Sequence, residues 1–168
     1  MTGQLQFEVS YLAQEDRILL RARFADAMEM KLLFTRRLVK GLLSAAGRLA
    51  EFGIAGDLTP EQRHAVADFN RQNAVADGDY ASPYLGGVEH PEFGDQPKLV
   101  TGIGFSPAPD GETNVVMRVT GEQELKFKLS LDGVLGLVHL FQKQARNAEW
   151  DLPSGGEGAV ARAPGRVN

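Results

Sequence analysis

Residues 20–46 of this chain recur at residues 115–141, shifted by 95 positions and aligned without a gap. Five residues are identical across the pair: Arg23 and Arg118, Glu29 and Glu124, Lys31 and Lys126, Gly41 and Gly136, Leu42 and Leu137. The apolar periodicity is the stronger constraint. Leu20, Ala22 and Phe24 match Val115, Met117 and Val119, alternating residues that make one face of a strand. Met30, Leu32 and Phe34 match Leu125, Phe127 and Leu129, a second alternating face. The short polar segments between them, residues 25–28 and 120–123, have hairpin length. Gly121 suits a tight turn and Asp26 tolerates one.

Both copies then change period. Thr35 and Ser130 occupy the same place, and each is a good N-cap. After Thr35 the apolar residues Leu38, Val39, Leu42, Leu43, Ala46 and Leu49 form a helical stripe. After Ser130 the stripe is Val134, Leu137, Val138, Phe141 and Ala145. A further strand precedes each copy: Leu5, Phe7, Val9 and Tyr11 in the first, Leu99, Thr101, Ile103 and Phe105 in the second. The expected fold is therefore α+β, an internal duplication of a strand-strand-strand-helix unit. It predicts antiparallel sheet with helices packed on it and a helical and irregular linker. The expected segments are a first repeat at 1–52, an acidic linker at 53–97, a second repeat at 98–152 and a disordered tail at 153–168. Gly41 and Gly136, at matching sites inside the two helices, predict a close approach of one helix to the other, because an interior glycine costs about 1 kcal/mol against alanine.

The linker carries its own signals. Thr59, Pro60 and Gln62 spell an N-cap, a proline at the first helical position and a capping box, so a surface helix is expected to about Ala76. Residues 77–97 then hold glycines, prolines and two tyrosines with little periodicity. A loop of that length is either functional or mobile, or serves as the connector between the repeats. Charge is unevenly spread. Residues 1–50 hold 8 Lys and Arg against 5 Asp and Glu, whereas residues 51–97 hold 2 against 9.

With 168 residues the chain is large enough for one stable core without staples. It has no cysteine, which excludes disulfides, thiolate metal sites and a cysteine nucleophile. No signal peptide is apparent and no apolar run approaches membrane-spanning length, so a cytoplasmic location and no membrane contact are expected. Catalytic signals are missing: no phosphate loop, no nucleophile elbow and no histidine pair at metal spacing. Asp77, Gly78 and Asp79 fail as a calcium loop, because the glycine is misplaced and no glutamate follows at the twelfth position. No catalytic, cofactor-binding or metal residue is assigned, and no cofactor is expected.

The candidate contacts are basic. Arg36, Arg37 and Lys40 crowd the first turns of helix one, where free N–H groups already favour anions and positive side chains oppose the helix dipole. Arg21, Arg23 and Lys31 point outward from the sheet, as do Arg118, Lys126 and Lys128 in the second repeat. The preferred reading is a non-catalytic protein-interaction or adaptor module that binds another protein or itself as a homodimer. The alternative is a single-stranded nucleic-acid binder. Tandem strand-rich units ending in a helix resemble in architecture the PUR and Whirly groups of single-strand binders, though the resemblance covers no motif. The acidic composition and the scarcity of outward aromatics weigh against it. A small-molecule binder or an enzyme without a recognisable motif ranks below both. The outward face discriminates: open arginines among aromatics favour nucleic acid, and a face covered or neutralised by the acidic linker favours protein interaction.

Overall fold

In a computed structural model, which describes residues 5–152, the chain is α+β with one seven-strand mixed sheet and three helices. The tail expected to be disordered, 153–168, lies outside the described residues. The elements are β1 (Gln6–Leu12), β2 (Arg17–Arg23), β3 (Met28–Phe34), α1 (Arg36–Phe52), α2 (Pro60–Asp77), β4 (Val88–Glu89), β5 (Lys98–Pro107), β6 (Thr113–Val119), β7 (Gln123–Leu129) and α3 (Leu131–Asn147). Both repeated stretches thus adopt the same order of strands and helix. Thr35 and Ser130 cap α1 and α3 by accepting from the Leu38 and Gly133 amides. The Thr59–Gln62 capping box opens α2, with both reciprocal bonds made.

The sheet runs β1-β2-β3-β5-β6-β7. It is two antiparallel meanders joined at a short seam, where β3 and β5 pair in parallel through Leu32 with Lys98 and Leu33 with Leu99. A wholly antiparallel sheet was expected. The seam is parallel because each three-strand unit ends in the direction in which it began. Laying the second beside the first sets β3 and β5 the same way, and the long linker supplies the crossover that parallel pairing needs. Tiny β4 also pairs in parallel with β3, at Met28 and Glu29.

The sheet curls far enough to bring rings from its two edge strands together, without pairing the strands. Phe127 of β7 touches Phe7 of β1 and Phe24 at the end of β2, with ring centroids 6.3 and 5.7 Å apart. A bulge between Val100 and Gly102 bends β5 and exposes Thr101, which the alternation had pointed inward. Val100 is buried in its stead.

The helices cross over. Among the strands, α1 packs chiefly on β5 of the second unit, and α3 packs chiefly on β1 of the first. One core therefore serves both halves, with Ile18, Leu20, Met30, Leu32 and Phe34 meeting Val115, Met117, Val134, Leu137 and Phe141. Phe34 and Phe141 meet edge to face at 4.7 Å, and each such ring contributes about 1.5–3 kcal/mol by burial. Trp150 folds back onto the core; its indole N–H donates to Asp16 at 2.8 Å.

The paired helical glycines do not mark a close approach. Gly41 is exposed and a Cβ there meets nothing within 4 Å. The buried side of α1 is formed by Val39, Leu42, Leu43, Ala46 and Ala50, so Gly41 lies toward solvent. Gly136 does have a neighbour, the Tyr80 hydroxyl, 3.3 Å from a built Cβ. α2 rests on the other helices through small residues, Ala67 and Ala74 against Ala50 and Leu135. Val66 and Phe69 stay exposed. No helix among the described residues is long and apolar enough to cross a membrane.

Candidate functional site

The two meanders present matching outward faces, and the chain treats them differently. On the first, register sets Arg21 opposite Lys31 and Arg23 opposite Glu29. Arg21 is held on three sides. Its guanidinium reaches Glu8 at 2.7 Å and Glu29 at 2.8 Å, and lies 4.7 Å from the centre of the Tyr84 ring. The Tyr84 hydroxyl donates to the same Glu29 carboxylate at 2.9 Å. Burial, then this bond to an anion, pushes the Tyr84 hydroxyl well above the ordinary tyrosine range. Glu29 is itself buried, and among the described residues it is the only charged side chain that is.

Tyr84 belongs to a strap, residues 79–97, that crosses this face. Val88 donates its amide to the Ala27 carbonyl at 2.9 Å, extending the pairing of β4 with β3. Gly87 sits so close that a Cβ would stand 2.6 Å from the Ala27 carbonyl oxygen and 2.8 Å from the Glu29 Cβ. Farther along, Asp95 takes Lys31 at 2.6 Å, and Gln123 of β7 donates to the Glu92 carbonyl at 3.1 Å. The outward face of the first meander is therefore not wet throughout: Glu29 and Leu33 are both buried.

The six basic residues singled out in the sequence do not form one patch. Arg21 and Lys31 are engaged by carboxylates of the chain itself. Arg23 is half-buried near the β2–β3 turn and makes no ion pair among the described residues. Arg36, Arg37 and Lys40 follow the opposite end of β3, exposed on the first turns of α1.

On the second face, register sets Gly102 opposite Arg118, Gly104 opposite Val116 and Ser106 opposite Asn114. Across β6, Arg118 lies opposite Glu124, Val116 opposite Lys126 and Asn114 opposite Lys128. Glu124 pairs with Arg118 and Lys126, each at 3.0 Å, and Lys128 pairs with Asp110. These cations remain open: the side chains of Arg118 and Lys126 are 72% and 68% exposed. Lys126, then Arg118, holds the Glu124 carboxyl below the usual glutamate range. A shallow recess lies here, lined by Thr101, Arg118, Thr120, Glu122 and Glu124.

Elsewhere, His64 lies between Glu51 at 3.3 Å and Asp68 at 3.6 Å, an arrangement the spacing of the histidines did not indicate. The His139 ring lies tilted against the Tyr80 ring, with centroids 5.2 Å apart. No three His, Asp or Glu residues among the described residues are grouped to hold a metal. Sequence reasoning missed Tyr84, Glu29, Glu8 and Asp95 as a set. The available signals were the acidic surplus of the linker and the adjacent Gly86 and Gly87 just before a β-branched residue.

The chain matches no protein-family model, no curated protein and no solved structure.

Proposed function

We propose that the chain is a non-catalytic protein-interaction module whose second outward face receives a partner protein. One observation carries this reading: of two matching faces, the first is occupied by the chain's own strap, and among the described residues no segment crosses the second. Glu8 and Glu29 engage Arg21 beneath the strap's Tyr84, and the strap's Asp95 engages Lys31, which removes two of the cations a nucleic-acid backbone would need. The open face mixes charges in pairs and offers no aromatic ring on its outward row, so it suits polar recognition of a protein better than base stacking.

The test is a photo-crosslinking residue at position 126 and, as control, at position 37, expressed in the native cell. Protein adducts enriched at 126 support the reading; equal or absent adducts at both positions overturn it. A nucleic-acid reading is favoured by a single feature, the exposed Arg37 and Lys40 on α1, which make no ion pair among the described residues. It requires salt-sensitive binding of a single-stranded oligonucleotide at ~50 mM salt, lost in Arg37→Glu.

A common origin of the two units belongs to the same proposal. It is supported by the matched element order, by left-handed Ala27 and Glu122 at equivalent hairpin positions, and by the reciprocal packing of α1 on β5 and α3 on β1. A cytoplasmic location and self-association as a homodimer are proposed with it; light scattering at micromolar concentration tests the dimer.

A further inference from the structure

The strap on the first face has a defined chemistry, and the second face repeats much of its receptor. Met28 and Glu29, which pair with β4, correspond at the 95-residue shift to Gln123 and Glu124 of β7. Ala27, whose carbonyl receives Val88, corresponds to Glu122, and both residues have positive φ, 65° and 60°. Lys31, which receives Asp95, corresponds to Lys126. At Gln123 and Glu124, β7 pairs with β6 on one side and with no strand on the other among the described residues. The recess lies at this same corner.

The differences are equally informative. Val116 stands where Arg21 stands, and Gly104 takes the register position of Glu8. The ion pair beneath Tyr84 is thus replaced by a valine and a bare strand. A Cβ at Gly104 would meet nothing within 4 Å. An exposed strand glycine leaves apolar backbone open, and an aromatic ring laid across it restores packing. The named cations, Arg118, Lys126 and Lys128, outnumber their carboxylate partners Glu124 and Asp110.

We propose that the second face binds, in trans, an extended acidic peptide segment that carries an aromatic residue and mimics the strap. The ring lies over Gly104 and Val116, a carboxylate reaches Lys126, and the peptide backbone adds to the edge of β7 that no described strand pairs, at Gln123 and Glu124, beside the bond from the Gln123 side chain to Glu92, a form of strand addition. This deepens the proposed interaction reading and rests on it.

The probe is a fluorescently labelled peptide with the sequence of residues 79–97 of this chain, titrated by anisotropy into the full-length protein at ~50 mM salt. Saturable binding is expected, weakened about tenfold or more by Lys126→Glu and by Gly104→Glu, and unchanged by Arg37→Glu. Because Gly104 faces open space, both face variants are expected to keep the parent's cooperative melt. A peptide with its tyrosines and phenylalanine changed to alanine should bind more weakly than the parent peptide. Absence of binding at about 1 mM peptide overturns the proposal. So does binding that survives Lys126→Glu and Gly104→Glu, or binding abolished by Lys31→Glu alone, which would mean exchange onto the first face. Crosslinks at position 126 in the cell with no peptide binding would remove only this partner class and leave the interaction reading intact.

Discussion

Glu29 and Glu124 are the same residue type at the same place in two matched hairpins, yet one is buried and the other is open. Glu29 joins Arg21 and the Tyr84 hydroxyl beneath the strap; Glu124 joins Arg118 and Lys126 in solvent. Strand alternation assigns both to the outward face and is right about both. What separates them is a third segment, far away in sequence, that lies over only one. A polar face is thus no guarantee of a wet one, and an ion pair gains structural weight only when something covers it.

The sharpest way to break this contrast is to remove each glutamate. Glu29→Ala leaves Arg21 with Glu8 alone and Tyr84 without an acceptor, and should cost about 2–3 kcal/mol by chemical denaturation, since breaking a covered pair strands its partners. Glu124→Ala should stay within about 0.5 kcal/mol, the range of exposed sites. Equal losses would show that the strap adds nothing to the first pair. Glycines give the next contrast. Gly87→Ala forces a Cβ against the Ala27 carbonyl and should cost about 1–3 kcal/mol, with faster proteolysis within residues 79–97. Gly104→Ala, on the bare face, should leave the melting temperature nearly unchanged.

In the helices, Gly41→Ala should stabilise by about 1 kcal/mol, because helix propensity acts there unopposed. Gly136→Ala should gain less, because the Tyr80 hydroxyl has to move aside. A larger gain at Gly136 would mean that Tyr80 does not hold that position. The smallest effect concerns two turn aspartates. Asp16 accepts from the neutral donors Trp150 and Tyr11, Asp110 from the Lys128 ammonium, and these bonds hold each carboxyl below the usual aspartate range. A depressed folded pKa gives stability that is present above the unfolded value, about 3.9, and lost as pH falls through the folded one. Trp150 fluorescence should therefore change only below about pH 4. Added salt should weaken the Asp110 contact, which is an ion pair, and spare the Asp16 contact, which is not.

Local structure was largely legible. Alternation located the two hairpins in each unit, Thr35, Thr59 and Ser130 marked the helix starts, and the stripe after Ser130 named residues that are buried. These signals act within a few residues of one another. The bulge that turns Thr101 outward, the parallel seam and the curl that brings Phe7 to Phe127 arise from how distant strands meet, and no periodicity encodes that. The site suffered most. The basic residues were found one by one, but their partners Glu8, Glu29, Tyr84 and Asp95 come from separate segments, up to 87 positions apart for Glu8 and Asp95. Composition pointed to the acidic linker without saying which face it would cover.

The crossing of the helices has a consequence for biosynthesis. α1 finds its seat on β5, and β1 receives its cover from α3, so the first half leaves the ribosome with an unfinished apolar face. At about 5–20 residues per second, the wait for the second half lasts on the order of several seconds. During that interval the nascent chain is the species most exposed to chaperones and to premature association. A synonymous change that slows translation between the two units would lengthen that exposure without altering a single atom of the finished protein.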